Sequence, residues 1–189
     1  MIESKYIRNI IEGDVSKFSY FVENYKNMAF SIAFRIINNT EDAEETVQDS
    51  FVKAFKSLHK FRKDSKFSTW FYKIVVNSSL SKIKKKHLEV SSDIDLINAK
   101  GVIIENVGSA YKSLTLADQK KYIDIALGEL NYEERLILTL YYLNENTIEE
   151  VSEITGIRKE NLKMKLLRAR KKMYLVLNDK LKSEIKNIL

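Results

Sequence analysis

A chain of 189 residues makes one large domain or two small ones, and a hydrophobic content of 44% is enough to bury a core in either case. Lysine and arginine number 32 against 26 acids, a net charge of +6 that suits a polyanionic partner. Cysteine is absent, which excludes disulfides and thiolate metal sites; with only His59 and His87 as imidazole ligands, neither a metal nor a cofactor is expected.

Proline is absent and glycine occurs five times, so little interrupts long helices, and apolar residues recur at helical spacing. The expected fold is all-α. Val15, Phe18, Val22, Tyr25, Ala29, Ile32 and Ile36 form a first apolar stripe, and Ala43, Val47, Phe51, Ala54, Phe55 and Leu58 a second. The second helix opens on Thr40 to Asp49, with five acids and no base. Glu41, Asp42 and Glu44 suit the dipole of a first helical turn, but Asp49 lies too deep for that role. With Gln48 it points to an acidic ridge suited to a basic protein surface.

The sign then inverts. Lys53, Lys56, Lys60, Arg62, Lys63, Lys66 and Lys73 face Asp64 alone, and Phe61, Phe67, Trp70, Phe71 and Tyr72 are interleaved with them. Aromatic rings flanked by cations hold single-stranded nucleic acid by stacking, at about 1 to 3 kcal/mol per base. By spacing most of these rings are core. Phe61 is the better candidate for contact, because it sits in an expected loop before a helix capped at Asp64 or Ser65. A third stripe follows in Phe67, Trp70, Phe71, Ile74 and Val75.

From about His87 to Asp118 periodicity weakens, Gly101 and Gly108 appear, and five acids stand against two bases, the pattern of a linker. Helices are then expected over Tyr122 to Leu130 and Tyr132 to Leu143, followed by two more that divide at Gly156. Asn131 with Glu134, and Thr147 with Glu150, have capping-box spacing. Ile148, Val151 and Ile154 line one short helix, and Leu162, Leu166 and Ala169 the next, with Ser152 small at their approach. This is helix-turn-helix spacing. Ten basic residues against two acids between Gly156 and Lys182 direct the second helix at a major groove.

Asp42-Ala43-Glu44-Glu45-Thr46-Val47-Gln48-Asp49-Ser50-Phe51 and the run from Phe61 to Asn77 resemble region 2 of the extracytoplasmic-function sigma factors of the sigma-70 family. Leu127 to Lys172, with Leu166-Leu167-Arg168-Ala169-Arg170, is similar to region 4 of the same family. The resemblance implies two small helical domains joined by a flexible linker: region 2 over 1–87, the linker over 88–117, and region 4 over 118–189. It implies that Asp42, Glu45, Gln48 and Asp49 bind core RNA polymerase. It places Phe61, Arg62, Lys63, Lys66, Trp70 and Asn77 on the minus-ten element, where Phe61 and Asn77 hold a flipped base. Lys159, Asn161, Lys163, Lys165 and Arg168 fall on the minus-thirty-five element. Lys159-Glu160-Asn161 and Met164 depart from the small polar residues usual in that recognition helix.

The function implied is a sigma factor in a stress or envelope response, with core polymerase, promoter DNA and an anti-sigma factor as partners. The alternative is an ordinary helix-turn-helix regulator whose N-terminal helices dimerise. No P-loop, metal-ligand cluster or nucleophile-base pair is present, so no catalytic residue and no enzymatic activity are expected. Met1 to Lys5 do not open a signal peptide, and no run approaches a membrane span of about 18 apolar residues. A cytoplasmic protein without membrane insertion is expected. A coil of about 30 residues reaches roughly 30 Å, against roughly 70 Å between promoter elements two helical turns apart, so the free protein is expected to bind promoters weakly.

Overall fold

The computed structural model describes residues 2–89 and 116–188, all helices and turns; most of the expected linker lies outside the described residues. Helix α1 (Ile2–Ile11) buries Ile7 and Ile10 and is followed by a turn at Gly13, whose φ of 112° favours glycine. A 3₁₀ turn (Val15–Lys17) leads into α2 (Phe18–Ile37). This break corrects the first stripe: Val15 is 59% exposed, and Phe21, in the first turns of α2, is fully buried.

Asn38 closes α2 in the left-handed conformation, and Asn39 then caps α3 (Thr40–Ser57), its side-chain oxygen accepting from the Asp42 N–H at 2.8 Å. The second stripe is buried as expected except for Phe55, which is 38% exposed and packs edge-on to Phe18. Helix α4 runs from Phe67 to Glu89. The first helical bond is donated by the Trp70 N–H to the carbonyl of Lys66, so the helix opens on Lys66 rather than on Asp64 or Ser65. Tertiary packing of Phe67 against Phe21, ring centroids 4.3 Å apart, prevails over capping preference here.

The C-terminal half comprises α5 (Leu116–Gly128), α6 (Tyr132–Leu138), α7 (Ile148–Thr155) and α8 (Lys159–Ile188). Both expected capping boxes form, Asn131 with Glu134 and Thr147 with Glu150. The segment read as one helix over Tyr132 to Leu143 widens into a π turn at Thr139–Leu143, which leaves Tyr142 and Leu143 about half exposed.

The two halves pack on each other. Helix α4 lies against α2 and α3 on one side and against α7 on the other, and α6 rests on α2. Buried apolar residues from Ile7 to Ala169 form one continuous cluster. Among the described residues, ion pairs cross the seam from Lys66 to Glu150 at 2.8 Å and from Arg35 to Asp124 at 2.7 Å.

A shared core couples the stability of the halves. Ile154 of α7 is 1% exposed, and the single tryptophan, Trp70, lies on α4 in the other half. Ile154→Ala is expected to lower stability by about 2 to 5 kcal/mol and to move the urea midpoint followed by Trp70 fluorescence. A Trp70 transition that stays in place while helical circular dichroism shifts would mean that the halves unfold independently.

Candidate functional site

Three surfaces gather the polar residues that the sequence singles out. The first is a groove of about 450 Å³ between α3 and α4, lined by Asp42, Glu45 and Asp49 on one wall and Lys82 and Lys85 on the other. The α3 apolar stripe turns Ala43, Val47 and Ser50 inward, which leaves Glu45, Gln48 and Asp49 exposed on the outer face. Gln48 is exposed outside the groove. Lys82 reaches Glu45 at 2.6 Å and Asp42 at 3.3 Å, and hydrogen bonding to Glu45 raises its pKa above the usual lysine value. Lys82 was not legible as part of this site, since its partner Glu45 lies 37 residues away on another helix.

The second surface is the exposed stripe of α4. Lys66, Trp70, Lys73 and Asn77 follow one another at steps of three or four residues and so share one face. Lys66, Lys73 and Asn77 are exposed and Trp70 is half-buried, whereas Phe67, Thr69, Phe71, Tyr72, Val75 and Val76 are buried around the rest of the helix. Asn77 sits in mid-helix with its side chain outward, which removes a capping role for it. Phe61, in the turn before α4, packs 5.3 Å from the Trp70 ring and 6.0 Å from Phe67, so the structure brings Phe61 and Trp70 together at one end of the stripe. Arg62 and Lys63 are exposed beside them, Lys63 with a left-handed φ of 64°.

The third surface is the helix-turn-helix. Gly156 takes φ 74° and ψ 4°, and its N–H donates to the Ser152 carbonyl at 2.8 Å. The Ser152 hydroxyl donates across the turn to the Ile157 carbonyl at 2.6 Å, so this residue bonds the corner as well as being small. Leu162, Leu166 and Ala169 are buried as expected, and that stripe fixes what α8 shows to solvent. Asn161 and Arg168 are exposed, with Lys165 on the same flank, while Lys159 and Lys163 are exposed on the other. Acids of the same half take two of these cations: Lys159 pairs with Glu149 at 3.2 Å and Lys165 with Glu133 at 2.6 Å. Between the flanks stand Met164 and Leu167, 51% and 53% exposed. The exposure of Leu167 follows from its place outside the Leu162, Leu166 and Ala169 stripe.

Acidic groove, cationic aromatic stripe and basic helix-turn-helix occur here in one chain. A family model described as Sigma-70 region 2 matches residues 21–88, and one described as Sigma-70, region 4 matches residues 120–173. The ECF RNA polymerase sigma factor SigW of Bacillus subtilis (strain 168) is 27% identical over 187 residues, which cover 95% of this chain and 98% of that protein. The chain belongs to the extracytoplasmic-function sigma factors. The sigma factor SigV of the same organism is 29% identical over 153 residues, 80% of this chain and 86% of that one. The sigma factor RpoE of Bartonella quintana, solved with the anti-sigma factor NepR, shares the fold with a TM-score of 0.64 at 24% identity, over 85% of this chain and 96% of that one.

As a sigma factor this protein acts in transcription initiation, binding core RNA polymerase and promoter DNA. Among the described residues no helix is long and apolar enough to cross a membrane, and no group of three or more His, Asp or Glu is placed to hold a metal.

The turn of the helix-turn-helix is testable by backbone conformation alone. A Cβ on Gly156 meets nothing within 4 Å, so only its left-handed φ resists substitution. Gly156→Ala is expected to cost about 1 to 2 kcal/mol, and Gly156→Asn distinctly less, in urea unfolding of the purified protein.

Proposed function

We propose that region 2 occupies residues 1–87 and region 4 residues 118–189, and that each surface above has one partner in initiation. Asp42, Glu45, Gln48 and Asp49 dock on a basic surface of core polymerase. Phe61, Arg62, Lys63, Lys66, Trp70 and Asn77 hold the opened minus-ten element. Lys159, Asn161, Lys163, Lys165 and Arg168 bind the minus-thirty-five duplex. The observation that carries this reading is the stripe from Lys66 to Asn77, which joins cations, a Phe61–Trp70 ring pair and an amide on an exposed face of α4.

The chemistry is capture rather than catalysis. Extruding a base costs a few kcal/mol, and stacking returns about 1 to 3 kcal/mol per base, so no nucleotide hydrolysis is required. The Asn77 amide donates and accepts along a base edge, while Arg62, Lys63 and Lys66 neutralise phosphates. On α8, Met164 and Leu167 offer apolar contact where cations flank them on both sides, which favours thymine methyl groups in the major groove.

Promoter binding by both regions requires the halves to separate. Helix α7 touches α4, whereas promoter elements two helical turns apart are separated by roughly 70 Å. Core polymerase supplies that separation, so the free protein binds promoters weakly. The Bartonella quintana RpoE was solved with an anti-sigma factor, and a cognate anti-sigma factor restraining this cytoplasmic protein in an envelope or stress response is part of the same proposal.

In vitro transcription with core polymerase and a library of genomic fragments tests the function, and the absence of any selected promoter would overturn it. Asn77→Ala is expected to lower transcription at promoters carrying the preferred minus-ten base by about 1 to 3 kcal/mol, with core binding and thermal stability unchanged. A base analogue in that element should show weaker unstacking with the variant. Lys163→Ala and Arg168→Ala are each expected to weaken duplex binding by region 4 and to reduce its salt slope by about one ion. Slopes equal to wild type would remove α8 from the phosphate contacts.

A further inference from the structure

A second cleft, about 450 Å³ in volume, lies at the seam between α2 and the C-terminal half, around the Arg35–Asp124 ion pair, and belongs to none of the three surfaces described above. Arg35, from the last turn of α2, is 17% exposed and gives its Nη2 to Asp124 of α5 at 2.7 Å. Arg135 of α6 enters the same cleft, half-buried, with no acid paired to it among the described residues. The Nε atoms of both arginines are buried without a hydrogen-bond partner among those residues. Burial, and then the charge of Arg35, hold the Arg135 guanidinium below its ordinary pKa. Two guanidiniums from different halves thus face one cleft, with Asp124 the one carboxylate among its described lining residues.

An unpaired, partly buried cation beside a like charge is costly unless an anion joins it. Asp124 meets one Nη of Arg35 and no group of Arg135, and the guanidinium Nη–H groups are charged donors suited to the oxygens of a phosphate. We propose that this cleft binds the phosphate group of a small ligand, with Arg35 and Arg135 donating from opposite walls. Phe30 and Phe34, ring centroids 5.9 Å apart and nearly parallel, form an apolar wall beside the arginines, with the Asn38 amide at the rim. The volume falls in the range of small-molecule sites, so the cleft accommodates a nucleotide as well as free phosphate. Because its two arginines belong to different halves, an occupant stabilises the packed arrangement by mass action and opposes the separation that polymerase requires.

Isothermal titration and thermal unfolding of the full chain, at constant ionic strength, with inorganic phosphate, pyrophosphate and ATP, test the site. Saturable binding with a raised unfolding midpoint is the expected result. Tighter binding of ATP than of the inorganic anions assigns the phosphate to a nucleotide, and equal binding assigns it to the free anion. Arg135→Gln should weaken binding by about tenfold or more, and Arg135→Lys should retain part of it. Circular dichroism verifies folding of each variant, with Arg35→Gln as the second test of the same donors. No saturable binding of any of the three, or binding untouched in both glutamine variants and lost in Lys163→Ala, overturns the proposal.

Discussion

Helix α4 has to be covered on nearly every side, and the architecture follows from that requirement. Its buried positions, among them Phe67, Thr69, Phe71, Tyr72, Val75, Val76 and Ser79, run around the helix rather than along one stripe. Burying each large apolar side chain contributes about 1.5 to 3 kcal/mol, and one neighbouring helix cannot shelter them all. Helices α2 and α3 shelter one side through contacts such as Phe51 on Phe71, with ring centroids 4.5 Å apart, and α7 covers another. The line from Lys66 to Asn77 stays open in the first half of α4, so the same packing that stabilises the helix also shapes the surface proposed for melted DNA.

Several of the charged groups proposed to meet a partner are already paired within the chain. Lys82 holds Asp42 and Glu45, Glu150 holds Lys66, Glu149 holds Lys159 and Glu133 holds Lys165. Exposed ion pairs contribute about 0 to 1 kcal/mol, so exchanging them for phosphates or for polymerase side chains costs little. The pairs keep opposite charges apart from unrelated partners while leaving them available. Lys66 with Glu150 also crosses the seam, which ties the candidate DNA surface to the packing of the two halves.

Much of the local architecture was legible from residue types. Both capping boxes, the left-handed turn at Gly156 and the buried stripe of Leu162, Leu166 and Ala169 form where spacing placed them, because each depends on side chains within a few residues of one another. The exposed acids of α3 were legible for the same reason. Where the reading missed, a longer-range contact had decided the matter: Phe67 on Phe21 sets the start of α4 at the expense of a cap at Asp64 or Ser65, and the turn after Gly13 moves Val15 out of the core.

By itself, then, the amino-acid sequence determined an all-helical chain, its helix-turn-helix and the alternation of acidic and basic surfaces, since periodicity, capping and charge order are properties of neighbouring residues; its kinship with sigma factors lay in the residue strings Asp42 to Phe51 and Phe61 to Asn77 that resemble that family. The tertiary structure alone decided that α7 packs on α4, that Lys82 closes over the acids of α3, and that Arg35 and Arg135 meet across a cleft. Those pairs are 37 to 100 residues apart in sequence, and no local pattern encodes which of many exposed charges and apolar faces will meet; that choice is made by the burial of α4 and α2 against the second half of the chain.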